Sequence, residues 1–251
     1  MAEEKKVVLI TGSSRGIGAA LARSFAEKDY SVAINYLKSE KAAFELQETL
    51  NALFGTGTAL AIRADVSHRI DVRQMFDQVY AFFNRIDVLI NTAGLNIDKP
   101  FLDMTDEDWS TVLGTILTGT FICSQEFARR YQGDAGQIIN IGAVTAMRGR
   151  KNGANYCCAR AGILTLTKCM ALELSPRIRV NCVTPGYINT QEVIERYQLD
   201  EKENLERALC GIPMNRLGTP DDVFQIIDFI VNTSSYITGQ NYFVDGGSYM
   251  H

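Results

Sequence analysis

An apolar run, Val7-Val8-Leu9-Ile10, leads directly into Thr11-Gly12-Ser13-Ser14-Arg15-Gly16-Ile17-Gly18 and then into a helical pattern beginning Ala19-Ala20-Leu21. Glycines so placed let the backbone turn sharply, approach a pyrophosphate closely and pack the next helix on the strand, while the helix N-terminus attracts phosphate charge. A tight strand-to-helix turn holding no ligand uses the same residues, so the turn alone leaves both readings open. Metal chemistry does not compete with it. Cys123, Cys157, Cys158, Cys169, Cys182 and Cys210 form no C-x-x-C pair, and the two histidines are His68 and His251, so no cluster has metal-ligand spacing. Reduced thiols in a cytoplasmic protein are expected, with the neighbours Cys157 and Cys158 packed as small hydrophobes.

The elements that must carry such a turn follow from periodicity. Short β-branched runs recur at 7–10, 31–35, 58–62, 86–90, 137–141, 178–184 and 241–244, separated by segments of helical spacing. Strands alternating with helices predict one α/β domain over 1–251, a Rossmann-type doubly wound parallel sheet of about seven strands. Thr105 with Asp108, and Thr219-Pro220 with Asp222, mark helix starts of the capping-box kind. Trp109, Val112, Leu113, Ile116, Leu117, Thr120 and Phe121 are expected on one helix face. Residues 187–218, with a charged stretch from Glu192 to Glu203, interrupt the alternation at the carboxyl edge of the sheet; they form either a substrate lid or a solvated excursion.

Composition excludes other classes. The chain has 251 residues, 46% hydrophobic and 22% charged, with 25 Lys and Arg against 29 Asp and Glu, a formal charge of -4. Nothing in that balance points to duplex nucleic acid or an anionic membrane, and no apolar run reaches the 18 or so residues of a membrane helix. The polar start, Met1 to Lys6, does not read as a signal peptide.

Five motifs in order carry a family resemblance: the glycine turn, Asp65-Val66, Asn91-Thr92-Ala93-Gly94, Pro185-Gly186 with Thr190, and Val244-Asp245-Gly246-Gly247. The chain resembles the short-chain dehydrogenase/reductase family throughout. It is most similar to the 3-oxoacyl-acyl-carrier-protein reductases of fatty-acid and polyketide synthesis, by Thr11 to Gly18 and by Ile212 to Pro220. The resemblance implies a dinucleotide held by Gly12, Ser14, Arg15, Gly16, Ile17, Gly18, Tyr36, Lys38, Asp65, Val66, Asn91, Ala93, Gly94, Tyr156, Arg160, Pro185, Gly186, Ile188 and Thr190. A ribose 2′-hydroxyl is usually met by an acid at the end of the second strand, whereas a 2′-phosphate needs cations. Here that end reads Asn35-Tyr36, flanked by Arg15 and Lys38, which favours NADP(H) over NAD; ordinary solvated charges are the alternative.

The same resemblance exposes three departures. The family's proton donor is a tyrosine, matched by Tyr156, but a phenol near pKa 10 needs a neighbouring cation to work at neutral pH. The family's lysine four residues on is Arg160, a wider planar cation that cannot relay a proton. Its serine, thirteen residues before the tyrosine, is Ala143, and its helix asparagine is Ile116. Two readings follow. The favoured one is a catalytically impaired, dinucleotide-binding subunit supporting an active reductase homologue in a homo- or hetero-tetramer. The other is an active NADPH-dependent ketoreductase using Tyr156 and Arg160 on a carrier-bound 3-ketoacyl group. The family's oligomer interface implies pairing of helices at about 106–131 and 154–175. Arg129, Arg130 and Arg177 are the candidates for docking an acidic acyl carrier protein, against the alternative of ordinary helix-end cations.

Overall fold

β-branched and aliphatic residues fill seven short strands because each must be covered on both faces. In the computed structural model, which describes residues 5–250, these are β1 (Val7–Thr11), β2 (Ser31–Tyr36), β3 (Ala59–Arg63), β4 (Val88–Asn91), β5 (Gly136–Ile141), β6 (Ile178–Pro185) and β7 (Asn241–Val244). Met1 to Glu4 and His251, read above, lie outside the described residues. All seven strands are parallel, in the order β3-β2-β1-β4-β5-β6-β7. The order reverses between β1 and β4, which opens a crevice at their carboxyl ends.

The helices are α1 (Gly16–Glu27), α2 (Glu40–Phe54), α3 (Arg69–Phe83), α4 (Asp106–Leu113), α5 (Gly119–Arg130), α6 (Thr145–Arg148), α7 (Ala154–Leu174), α8 (Gln191–Tyr197), α9 (Lys202–Cys210) and α10 (Pro220–Asp228). They cover both faces of the sheet. One core layer joins Phe25, Leu21 and Ile227 to the sheet; the other joins Phe76, Phe127 and Met75 to it. Both expected capping boxes form, at Thr105 with Asp108 and at Thr219 with Asp222.

Two expectations need correction. The single apolar stripe from Trp109 to Phe121 is broken by a π-helical turn at Gly114–Thr118. The turn's extra residue shifts the register, so Val112, Ile116 and Thr120 are buried while Trp109 and Phe121 face outward, 38% and 40% exposed. The Cys157-Cys158 pair is not core packing either: Cys158 is exposed on α7 and Cys157 only half-buried, because neighbouring helix positions point in different directions.

Candidate functional site

The glycine turn is built by its neighbours. Gly12 has φ +62°, and a Cβ there would fall 2.7 Å from the Cα of Ala93, so a side chain is excluded on both counts. Gly12 N donates to Asn35 Oδ1 at 3.0 Å, and Asn35 Nδ2 reaches Ala64 O at 3.1 Å, so one amide fixes the turn across β1, β2 and β3. Gly16, φ +57°, opens α1 with nothing within 4 Å of its would-be Cβ. Thr11 Oγ1 accepts from the backbone of Thr92 and Ala93, joining the turn to the Asn91–Gly94 segment. A glycine turn of this shape at a helix N-terminus has the geometry that could hold a phosphate.

At the carboxyl end of β2, Tyr36 is buried and its hydroxyl donates to Glu40 Oε1 at 3.1 Å. Burial raises the phenol pKa and this carboxylate raises it further. Arg15 and Lys38 are both exposed. The structure adds Arg63, whose Nε donates to Leu37 O at 3.3 Å. Neither Glu40 nor Arg63 stood out in the sequence, because both are distant from the turn along the chain. Asp65 Oδ1 accepts from Ser67 N and Oγ, and Val66 packs against Gly119.

Several residues expected at the cofactor spend their polar atoms elsewhere. Asn91 is buried, its amide donating to Ser124 Oγ and Asn140 Oδ1, which ties β4 to α5 and β5. Thr190 Oγ1 caps α8 by accepting from Val193 N. Ile188 is buried and forms a parallel bridge with Gly218, while Gly218 N donates to Tyr187 O. Thus the segment 187–218 is pinched shut at its base, with α8 and α9 between. Pro185-Gly186 is braced by β7: Gly186 N donates to Val244 O, and a Cβ on Gly186 would fall 2.8 Å from the Cα of Asp245.

At the chemical end, Asn155 Nδ2 binds Ile97 O and Asp108 O, holding the start of α7 against the loop after β4. That sets Tyr156 half-buried at the cleft, its hydroxyl without a hydrogen bond among the described residues. Arg160, one turn on, is 6% exposed; its Nη1 donates to Ile141 O at 2.6 Å and its guanidinium carbon lies 5.2 Å from the Tyr156 ring centre. Ala143 is buried, as is Gly142, whose would-be Cβ would press on Thr184 Oγ1. Ile116 is fully buried inside the π-helical turn, with its carbonyl taken by Thr120 Oγ1 at 2.7 Å. Ile116 packs with Tyr156 in one apolar cluster and Arg160 lies on the Tyr156 ring; of the four positions only Tyr156 presents a hydroxyl.

A cluster the sequence did not announce closes over this end. Arg150 Nη2 binds Asp98 Oδ1 at 2.6 Å and Asn96 Oδ1 at 3.1 Å, and its guanidinium carbon lies 5.2 Å from the Tyr156 ring. From α8, Arg196 Nη1 reaches Asp98 Oδ2 at 2.8 Å and Glu192 accepts from Asn96. The 187–218 segment is therefore clamped to the β4 loop by side chains from three elements.

The carrier-docking candidates part company. Arg129 is exposed, and with Arg177 it lines a hollow of about 440 Å³ between α5 and α7. Arg177 donates to Tyr131 O and Ala128 O, capping the end of α5. Arg130 is committed to Glu126 and Asp77, each at 2.6 Å. Among the described residues no helix is long and apolar enough to cross a membrane.

A doubly wound sheet with this cradle and with a tyrosine on α7 defines a class, and sequence comparison agrees. The chain belongs to the short-chain dehydrogenase/reductase family. A family model described as enoyl-(acyl carrier protein) reductase matches residues 12–249. Curated relatives include a 3-oxoacyl-[acyl-carrier-protein] reductase of Synechocystis sp., 39% identical over 249 residues, covering 98% of this chain and 97% of the relative. One from Staphylococcus aureus is 37% identical over 248 residues, covering 98% of each. Among solved structures, a short-chain dehydrogenase/reductase from Brucella melitensis superposes with TM-score 0.88 at 28% identity over 100% of both chains. A variant of one from Serratia marcescens gives TM-score 0.88 at 30% identity over 97% of each.

Proposed function

We propose that this chain binds NADP(H) and acts as a catalytically impaired supporting subunit in a mixed oligomer with an active 3-oxoacyl-carrier reductase. The observation that carries this reading is the contrast between the two ends of one cleft. The cradle at Gly12, Gly16 and Gly18 is intact, and Arg15, Lys38 and Arg63 supply cations where a 2′-phosphate would sit, against one carboxylate, Glu40. The reducing group supplies a hydride when bound, and the protein must then protonate and stabilise the carbonyl oxygen. Tyr156 is the one available proton donor. Ala143 offers no hydrogen bond to a developing oxyanion, a loss of about 100- to 1,000-fold where comparable donors are removed. Ile116 cannot hold a water chain, and an arginine at 160 is not a proton relay.

The outward faces of α4, α5 and α7 support assembly: Trp109, Phe121 and Leu172 are exposed apolar groups there, Leu172 at 85%. The second reading, an active ketoreductase, is favoured by the free Tyr156 hydroxyl beside a cation. Measuring NADPH-dependent reduction of a model 3-ketoacyl thioester by the purified chain, alone and co-expressed with an active homologue, separates the two. Negligible turnover alone with co-purification of the homologue is expected. Turnover of the chain alone in the ordinary enzyme range, about 1 to 1,000 per second, overturns it.

A further inference from the structure

The backbone of Tyr156 and the direction of its ring are fixed by different residues. Asn155 sets the backbone: its Oδ1 accepts from Tyr156 N, and its Nδ2 donates to Ile97 O. The ring has no such anchor, because the hydroxyl makes no hydrogen bond among the described residues. What touches the ring must orient it. It packs with the apolar cluster of Ile116 and Ala159, and two guanidiniums lie over it, those of Arg150 and Arg160, each with its carbon 5.2 Å from the ring centre. Apolar packing lets a ring slide, whereas a cation favours the ring face.

Arg150 is the member of this group that comes from elsewhere. Arg160 shares α7 with the tyrosine, while Arg150 reaches it from the loop between α6 and α7. Its guanidinium is gripped as a fork: Nη2 donates to Asp98 Oδ1 at 2.6 Å and Nη1 to Asp98 Oδ2 at 3.0 Å, and Asn96 Oδ1 takes a further bond from Nη2 at 3.1 Å. A two-point grip fixes the plane of the group as well as its place. The placement has a cost, since the side chain is 14% exposed and its Nε is buried with no acceptor. Room has been cleared for it too. A Cβ on Gly153 would fall 2.7 Å from Arg150 Nε and 2.8 Å from Nη2. Gly153 has φ −124°, a value open to other residues, so the glycine supplies space rather than backbone freedom.

We infer that Arg150 is a positioning residue for Tyr156, directing the phenol from a plane fixed by Asp98 and Asn96 in a slot that Gly153 keeps open. The inference rests on the reading of Tyr156 as the proton donor that remains, and deepens it. With Ala143 offering no hydroxyl, the ring is held by its face instead of by its polar end. Whatever reduction the chain carries out then depends on a residue that acts only through Tyr156.

The test reads the ring itself, by NMR of the full chain isotope-labelled at the tyrosine ε carbons, with the Tyr156 signal assigned by its loss in Tyr156→Phe. Arg150→Met should move that signal and leave those of Tyr30, Tyr36 and Tyr131 in place. Gly153→Ala, which keeps the arginine but fills its slot, should move it as well, and carries the comparison should the methionine variant not fold. Asp98→Asn should move it in the wild type and have no further effect in Arg150→Met, because Asp98 acts through the guanidinium. Arg150→Lys, a cation without the fork, should give an intermediate shift. In single-turnover reduction of a 3-ketoacyl thioester with NADPH and the protein in excess, the rate constant should drop about 10- to 100-fold in Arg150→Met, at an unchanged half-saturation concentration. A Tyr156 signal identical in wild type, Arg150→Met and Gly153→Ala overturns the inference and leaves the donor reading intact. Tyrosine signals that all move together overturn it too, since Arg150 is then a general brace. A wild-type rate no greater than that of Tyr156→Phe removes the donor reading, and the inference with it.

Discussion

Arg150 holds its guanidinium carbon 5.2 Å from the centre of the Tyr156 ring while the same side chain grips Asp98. The stacking contact contributes on the order of 0.5–2 kcal/mol. It ties the Tyr156 ring, through Asp98, to Arg196 of α8, so the position of the ring and that of the 187–218 segment are linked.

NADPH should bind more tightly than NADH, because the second strand ends in Tyr36 rather than an acid and Arg15 and Lys38 stand exposed beside it. Replacing Arg15 by alanine removes one charge-assisted contact, and the preference should shrink by about tenfold. Calorimetry of both nucleotides against both proteins checks this; equal affinities in the wild type contradict it.

Restoring the family's groups should restore chemistry. The combination Ile116→Asn, Ala143→Ser and Arg160→Lys should raise thioester reduction by at least about 100-fold. Stability should fall, since Ile116 is fully buried and an amide there costs about 1–3 kcal/mol unless it finds partners, or roughly 2–4 °C per kcal/mol in a chain of this size. Steady-state kinetics and a melting curve on the same preparation read both effects, and no gain in rate would mean that something other than these three groups limits turnover.

An acidic acyl carrier protein docking at the α5–α7 hollow should bind less tightly as salt rises, because charge reaches only about 8 Å at physiological ionic strength. Arg129→Glu should weaken it with NADPH affinity unchanged. Arg177→Glu should weaken it too, but will also lower the melting temperature by uncapping α5. Surface plasmon resonance that shows no response to salt or to Arg129→Glu removes this surface from consideration.

Acid should loosen the loop that carries Lys99. The Asp108 carboxylate is held down to about 2, first by its bond with Lys99 and then by the backbone and hydroxyl of Thr105. Its unfolded value is about 3.9, so the folded form is depressed. Its stabilisation is fully present above the unfolded value and is lost as pH falls toward 2. Asp222, lowered by Arg216, behaves in the same sense. Urea midpoints of wild type and Asp108→Asn should differ at pH 7 and converge near pH 2; a gap independent of pH would show that the charge is not responsible.

The fold was legible because strands covered on both faces read as unbroken apolar runs and because Thr105 and Thr219 announce their helices locally. The cradle was legible for the same reason, its glycines lying within seven residues of one another. What escaped was whatever depends on distant segments meeting. Asn35 binding Gly12 N, Arg63 beside Tyr36, and the Arg150–Asp98–Arg196 group each join residues from separate loops. The π-helical turn at Ile116 also escaped, since an apolar stripe with 3.6-residue spacing does not show one extra residue.

Asp98 answers two guanidiniums, from Arg150 and Arg196, the latter shared with Glu192, and is itself 32% exposed. Dissolved ions reach such a pair and weaken it. If residues 187–218 gate the cleft, the gate should swing more freely as ionic strength rises, the same condition that would release an acidic carrier docked on the α5–α7 surface. Admission of a small ligand and capture of a protein partner would then answer salt in opposite directions, and any turnover that requires both would be greatest at an intermediate salt concentration.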